Sequence, residues 1–358
     1  MASMRYKLLG RSGLRVSELC LGTMTFGEDW GWGASRDESK AQYDAFTEAG
    51  GNFIDTANLY TNGSSEMLVG EFVKSDRERI VLATKYTLGM LRPGDPNGNG
   101  NHRKNLVQSV HNSLKRLDTD YIDLLWVHAY DLLTPVDEMM RALDDLVRQG
   151  KVLYIGISDA PAWIVSQANT MADLRGWSPF VALQIEYSLI ERTVEAELLP
   201  MARAFDLAVT PWSPLGQGVL TGKYNKPREA GQESRFAEGE ASRYLSDKNL
   251  AIAQTVVDVA GEIGVSPAQV ALAWLLEKGR KQGGVNIPII GSRKASQLAD
   301  NLAATEVRLS DAQLAKLDEI SAVPLPFPQS FVNSEQVNNI VYGGTRGLID
   351  THRPSLVP

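Results

Sequence analysis

Eight short apolar runs recur along this chain about every 25–35 residues, and most of the gaps between them carry helix-period patterning. The runs are Leu19–Leu21, Phe53–Asp55, Ile80–Lys85, Ile122–His128, Val152–Ser158, Ala182–Tyr187, Leu207–Trp212 and Val285–Ile290. Strands separated by helices pair in parallel, because a parallel neighbour needs a long crossover. Eight such units favour a closed α/β architecture, the (β/α)8 TIM barrel, over an open doubly wound sheet. Chemistry in these folds sits beyond the carboxyl ends of the strands.

The punctuation agrees with that plan. Arg5–Leu9 and Leu14–Ser17 flank a turn containing Gly10 and Gly13, which predicts an N-terminal β-hairpin. Ser35–Ala49, Lys104–Leu117 and Pro135–Arg148 carry helical periodicity. Thr134–Pro135 and Ser266–Pro267 each place a capping hydroxyl before a helix-starting proline. Gly150 stands where a left-handed C-cap belongs. The rhythm breaks at Thr87–Asn101, at Ser213–Tyr244 and beyond Ala322. The first two follow strand ends, where long loops build active sites. One domain over 1–358 is expected, with the tail 323–358 packing near the active-site face.

Charge narrows the function classes. The net charge is −7 and the pI about 5.3, which argues against a general binder of nucleic acid or anionic membrane. No apolar run reaches the ~18–20 residues of a membrane span, and the N-terminus lacks a secretory apolar core. A cytoplasmic location is the default expectation. Cys20 is the single cysteine, expected as a buried strand residue, so no intrachain disulfide or CxxC motif exists. The four histidines are scattered and HExxH is absent, so no metal site is expected. Leu21–Gly27 does not fit G-x-G-x-x-G, and the Gly216–Tyr224 stretch has the wrong spacing for a P-loop. There is no G-x-S-x-G elbow.

Four residues at or just past strand ends carry chemistry: Asp55, Tyr60, Lys85 and His128. A carbonyl being reduced develops negative charge on oxygen and needs a proton. A tyrosine is a weak acid, and a nearby ammonium makes it a better one. Lys85 could act so on Tyr60, with Asp55 as the buried counter-charge. Each has an ordinary alternative taken singly: a solvated strand-end lysine, a turn aspartate, a packed tyrosine, a core histidine. Lys85 as a Schiff-base lysine is a further alternative.

With these motifs in view the chain resembles the aldo-keto reductase superfamily over nearly its whole length. The resemblance rests on Leu21–Met24, Asn52–Tyr60, Ala83–Lys85, Arg116–Leu124 with His128, Gly156–Ser158, Gln184–Ser188, Trp212–Leu215 and Pro288–Arg293, all in the family's order. It points to the aryl-alcohol-dehydrogenase-like bacterial and fungal members. It implies Tyr60 as general acid, Lys85 lowering its pKa, Asp55 paired with Lys85, and His128 orienting a carbonyl. It also implies NADPH/NADP+, with NADH as the alternative, bound across the barrel mouth without a Rossmann fold.

Gly22, Thr23, Met24 and Asp55 would then line the nicotinamide ribose. Ser158 and Gln184 would bind the carboxamide, and Trp212 would stack on the nicotinamide. Ser213, Pro214, Leu215, Gly216, Gln217, Gly218 and Lys223 would hold the pyrophosphate. Gly291, Ser292, Arg293, Gln297 and Asn301 would hold the adenosine end, with Arg293 suited to a 2′-phosphate.

Asp159 stands where the family commonly has asparagine. It is expected either at the carboxamide or as a cap for the helix opening at Ala160–Pro161. Trp30, Trp32, Tyr86 and Tyr130 are substrate-pocket candidates, with packing as their alternative. The implied activity is reduction of aldehydes and ketones, reversible on alcohols. The second expectation is a redox-sensing regulatory subunit that binds NADPH with little turnover. The expected partner is a small carbonyl or alcohol, and homo-oligomerisation is left open.

Overall fold

The computed structural model describes residues 4–89, 94–225, 243–281 and 283–350. Segments 90–93 and 226–242 of the two long loops, and 351–358 of the tail, lie outside the described residues. The hairpin forms from β1 (Tyr6–Leu8) and β2 (Arg15–Ser17), paired antiparallel. Eight parallel strands follow: β3 (Cys20–Gly22), β4 (Phe53–Asp55), β5 (Val81–Tyr86), β6 (Ile122–Val127), β7 (Val152–Ser158), β8 (Phe180–Glu186), β9 (Ala208–Trp212) and β10 (Ile289–Ile290). Their order is β10-β3-β4-β5-β6-β7-β8-β9. Val209 closes the ring: its N–H donates to the Val285 carbonyl (2.7 Å) and its carbonyl accepts from Ile287 N–H (2.8 Å). The expected TIM barrel is therefore the fold found.

Helices α1 (Arg36–Glu48), α2 (Ser64–Val73), α3 (Arg103–Leu117), α4 (Val136–Arg148), α5 (Ala162–Arg175) and α6 (Leu198–Ala204) alternate with the strands. Two helices, α7 (Asp247–Ile263) and α8 (Pro267–Lys281), separate β9 from β10. The chain continues through α9 (Ala295–Leu302), α10 (Asp311–Ile320), α11 (Gln329–Val332) and α12 (Glu335–Val341). Among the described residues no single helix is long and apolar enough to cross a membrane.

Cap chemistry sets several boundaries. The Ser35 hydroxyl accepts from Glu38 N–H, and that of Ser266 accepts from Gln269 N–H (3.2 Å). Gly150 takes the expected left-handed conformation (φ 71). Thr134 departs from expectation and caps nothing. Its N–H and hydroxyl both donate to Asp131 (2.8 and 2.7 Å), which leaves Pro135 at the N-cap position.

Strand alternation sorts the core into two layers. Cys20, Phe53, Val81, Ala83, Leu124, Trp126, Ala182 and Ala208 fill the barrel interior, plugged from below by Leu9 and Val16 of the hairpin. Leu21, Ile54, Leu82, Leu125, Val127, Ile155, Ile157, Leu183 and Val209 face outward against the helices. Inside, the Trp126 ring lies so close to Gly156 that a Cβ there would sit 2.4 Å from it. Cys20 is fully buried, as expected.

The tail beyond α10 is mostly exposed. Gln329 Nε2 donates to Glu197 Oε1 (2.8 Å) just before α6, on the side of the barrel where the strands end.

Candidate active site

The period of two that fills the barrel also selects the residues at its mouth. Above Phe53 on β4 comes Asp55; above Val81 and Ala83 on β5 comes Lys85. His128 continues the series Leu124, Trp126 one residue past β6. Ser158 ends β7, Gln184 lies above Ala182 on β8, and Trp212 ends β9 above Ala208. Gly22 follows Cys20 on β3. One parity rule thus gathers seven of the expected residues at one end of the barrel.

Lys85 is fully buried and is the hub. Its Nζ donates to Asp55 Oδ2, to the Thr56 carbonyl (2.8 Å) and to the Tyr60 hydroxyl (3.0 Å). Gln184 Nε2 donates to the other Asp55 oxygen (3.2 Å). Tyr60 stands edge-on to His128, with ring centroids 6.0 Å apart at 83°. The four candidates are therefore one cluster.

Local backbone chemistry brings Tyr60 inward. It opens a short 3-10 turn, Tyr60–Gly63, in which Thr61 (φ 43) and Asn62 (φ 54) take left-handed conformations. The Thr61 hydroxyl donates to the Phe26 carbonyl (2.7 Å) and accepts from Ser65 N–H (3.0 Å). These bonds hold the strained turn against the loop after β3.

Charge in this pocket follows from burial. Burial works against the Lys85 ammonium, but Asp55 and Tyr60 outweigh it and hold it above the ordinary lysine value. Burial pushes the Tyr60 phenol up, while Lys85 pulls it down and Asp55 pushes it up; the balance lies above the ordinary tyrosine value. The lysine thus limits a rise rather than producing a net fall. Burial, then Lys85, depress the His128 imidazole well below its ordinary range, so the ring is neutral. Its Nδ1 is buried with no hydrogen-bond partner among the described residues.

Several of the residues expected to bind a dinucleotide lie at or follow the ends of β7 and β9. The Ser158 hydroxyl is buried and makes no well-formed hydrogen bond among the described residues. Gly216 (φ 54), Gln217 (φ 53) and Gly218 (φ 92) form a left-handed turn after β9. It brings the Lys223 ammonium within 3.2 Å of where a Gly218 Cβ would be. Ser213 (φ 50) accepts from Gly216 N–H at its carbonyl, and Pro214 and Leu215 lie between them.

Other candidates are tied into the scaffold. Thr23 donates its hydroxyl to the Asp55 carbonyl (3.1 Å), and Ser292 donates to Gln42 Oε1 (2.7 Å). Gln297 accepts from Arg293 N–H (3.1 Å), Asn301 is buried, Met24 is half-buried, and Gly291 is exposed just past β10.

Of the two alternatives for Tyr86, pocket wall or packing, the same parity rule selects packing and corrects the pocket assignment. Tyr86 adjoins Lys85 on β5 and therefore points outward, fully buried in the outer core, with its hydroxyl donating to the Asn101 carbonyl (3.3 Å). It does not line a pocket. Tyr130 is half-buried and donates its hydroxyl to the Thr134 carbonyl (2.7 Å). Trp30 lies edge-on to Tyr60 (6.5 Å, 80°), and Trp32 packs on Trp30 (5.7 Å).

Asp159 is corrected as a helix cap: α5 begins with Pro161 at its N-cap and no side chain capping it. The carboxylate instead accepts from Trp212 Nε1 (3.1 Å). Two residues at this rim were missed by the sequence reading. Glu186, on the inward parity of β8, accepts from the Tyr244 hydroxyl (2.7 Å) and Arg243 (3.1 Å). Asn62 accepts from Trp30 Nε1 (3.4 Å), for which no sequence signal existed.

Known proteins share this sequence plan. The profile of the aldo/keto reductase family matches residues 18–322. A norsolorinic acid reductase of Aspergillus flavus is 38% identical over 334 residues, covering 91% of this chain and 83% of its own. An aryl-alcohol dehydrogenase [NADP(+)] of Phanerodontia chrysosporium is 36% identical over 352 residues, covering 92% and 89%. An aldo-keto reductase of Emericella nidulans is 38% identical over 338 residues, covering 90% and 83%. These relatives are fungal. With an eight-stranded parallel barrel and matches of this extent, the chain belongs to the aldo/keto reductase family and is an oxidoreductase.

Proposed function

We propose that the protein reduces an aldehyde or ketone to an alcohol, reversibly, with NADPH as reductant and Tyr60 as the proton donor. The observation that carries this reading is the chain Asp55–Lys85–Tyr60, its first two members buried and Tyr60 half-buried, with Lys85 Nζ 3.0 Å from the phenol oxygen. A full positive charge at that distance favours the phenolate that remains after proton loss. His128 is neutral and so has no extra proton to give, which leaves Tyr60 as the acid. The imidazole positions the substrate oxygen by hydrogen bonding. The carbonyl carbon accepts a hydride, its oxygen takes the Tyr60 proton, and Lys85 holds the phenolate until solvent returns a proton.

The rim residues fit a nicotinamide dinucleotide phosphate. The buried Ser158 hydroxyl, beside the Asp159 carboxylate and without a well-formed hydrogen bond among the described residues, suits a carboxamide, together with the side-chain amide oxygen of Gln184. Trp212 offers an aromatic face. The left-handed Gly216–Gly218 turn and Lys223 suit a pyrophosphate, and Arg293 suits a 2′-phosphate. When bound, NADPH supplies the hydride.

The aromatic wall selects the substrate class. Trp30 abuts Tyr60 and carries Trp32 outward, so a flat ring attached to the carbonyl finds aromatic neighbours there. An aryl aldehyde or aryl ketone fits this wall, in accord with the name of the Phanerodontia relative.

Titrating the protein with NADPH and with NADH, while following quenching of protein fluorescence, tests the cofactor. A panel of aryl, sugar and aliphatic carbonyls tests the substrate class. Tight NADPH binding and fastest turnover of aryl carbonyls are expected. No binding of either cofactor overturns the reading.

A further inference from the structure

Asp159 and Glu186 are the two rim carboxylates whose chemistry the functional reading leaves unused, and Asp159 is the one that meets an expected cofactor residue, Trp212. A carboxylate has no N–H to offer a carboxamide oxygen. Its position is nevertheless closely specified. The backbone takes a left-handed φ of 35, which Asp and Asn tolerate better than most residues. Its N–H donates to the Gln184 carbonyl on β8 (3.3 Å), and its carbonyl accepts from Tyr130 N–H, past β6 (3.3 Å). From that pinned backbone the side chain spans β8 and meets the Trp212 indole N–H on β9 at 3.1 Å. One residue thereby ties three strand ends of the rim.

We propose that Asp159 is a positioning residue: its carboxylate fixes the rotation of the Trp212 indole and thereby sets how firmly the nicotinamide end of the dinucleotide is held. The first half stands on geometry alone, and the second rests on the NADPH reading above. Trp212 is the last residue of β9 and is half-buried, so packing encloses the indole on only part of its surface. Burial pushes the Asp159 carboxyl up and the Trp212 and Ser158 donors pull it back; a hydrogen bond to its oxygen is directional and selects one rotation of the ring. An aromatic face presented in one orientation binds a flat partner with less loss of side-chain freedom. The departure from asparagine at position 159 exchanges a donor-and-acceptor amide for an acceptor aimed at the indole.

Two substitutions separate the contributions. Asp159→Asn keeps the acceptor oxygen and the tolerance of positive φ. Asp159→Gly permits the same left-handed backbone, still held by the Gln184 and Tyr130 backbone bonds, and removes the acceptor. Near-ultraviolet circular dichroism of wild type, both variants and Trp212→Phe, without cofactor, isolates the Trp212 contribution by difference. The Trp212 band is expected to persist in Asp159→Asn and to collapse in Asp159→Gly, with far-ultraviolet spectra unchanged. An NADPH titration is expected to show binding weakened about tenfold in Asp159→Gly and restored to within about threefold of wild type in Asp159→Asn. The rise is expected in KM for NADPH, with kcat moving less.

A Trp212 band equal in Asp159→Gly and wild type overturns the proposal, as does an equal loss in both variants. If none of the four proteins binds NADPH, the functional reading and the second half fall together, while the Trp212 band still decides the first half.

Discussion

Lys85 and Tyr86 are neighbours in the chain and face opposite sides of one strand. Lys85 Nζ points into the barrel mouth, toward Asp55 and Tyr60, while the Tyr86 ring is packed among the outer core residues. Tyr86→Phe should therefore leave turnover within about threefold of wild type. Loss of its hydrogen bond to the Asn101 carbonyl should cost about 0.5–1.5 kcal/mol. Steady-state kinetics and urea unfolding check both. A large fall in kcat with unchanged stability would place Tyr86 in the pocket after all.

Lys85 and Asp55 form a fully desolvated pair, so their removal should be strongly non-additive. Lys85→Met alone strands a buried carboxylate, a loss of about 3–5 kcal/mol of stability. Lys85→Met with Asp55→Asn should recover much of it, while reductase activity stays lost in both. Chemical denaturation of the double-mutant cycle gives the coupling energy. Additive losses would contradict the pairing.

The neutral His128 links folding to pH. Its folded value is depressed well below the ordinary 6.5, so below about pH 6.5 the unfolded chain binds more protons than the native one. The group contributes stability fully above that pH, and the contribution is lost as pH falls from there toward the folded value. The slope from this residue is at most about 1.4 kcal/mol per pH unit. Urea unfolding of wild type and His128→Asn between acidic and neutral pH should show a shallower loss in the variant. Parallel curves would mean that the imidazole ionises in the native protein.

Trp30 borders Tyr60, and its contribution should depend on the substrate. Trp30→Ala should raise KM for aryl aldehydes by about two- to tenfold, the range of one aromatic contact. Small aliphatic aldehydes should be affected less. An equal effect on both classes would assign Trp30 to holding the Tyr60 turn through Asn62.

Much of the architecture was legible because strand spacing and parity are properties of the sequence. Asp55, Lys85, His128, Ser158, Gln184 and Trp212 share one parity with the interior residues beneath them. The same rule excludes Tyr86 and includes Glu186, although proximity in sequence suggested the reverse emphasis. What was not legible depends on conformations that local sequence does not specify. The left-handed φ of Asp159 turns its carboxylate toward Trp212 rather than toward the following helix. Asp131 draws off the Thr134 hydroxyl that patterning assigned as a cap. The net rise of the Tyr60 phenol reflects burial, which a motif does not report.

Tyr60→Phe tests the central claim most directly. Phenylalanine keeps the ring against Trp30 and His128 and removes only the proton and its oxygen. The account predicts a native fold made less stable by about 1–3 kcal/mol through the lost acceptor for Lys85, NADPH binding close to wild type, and aryl-aldehyde reduction slowed about 10²–10⁴-fold. Tyr60→Phe reducing aryl aldehydes at the wild-type rate would contradict it.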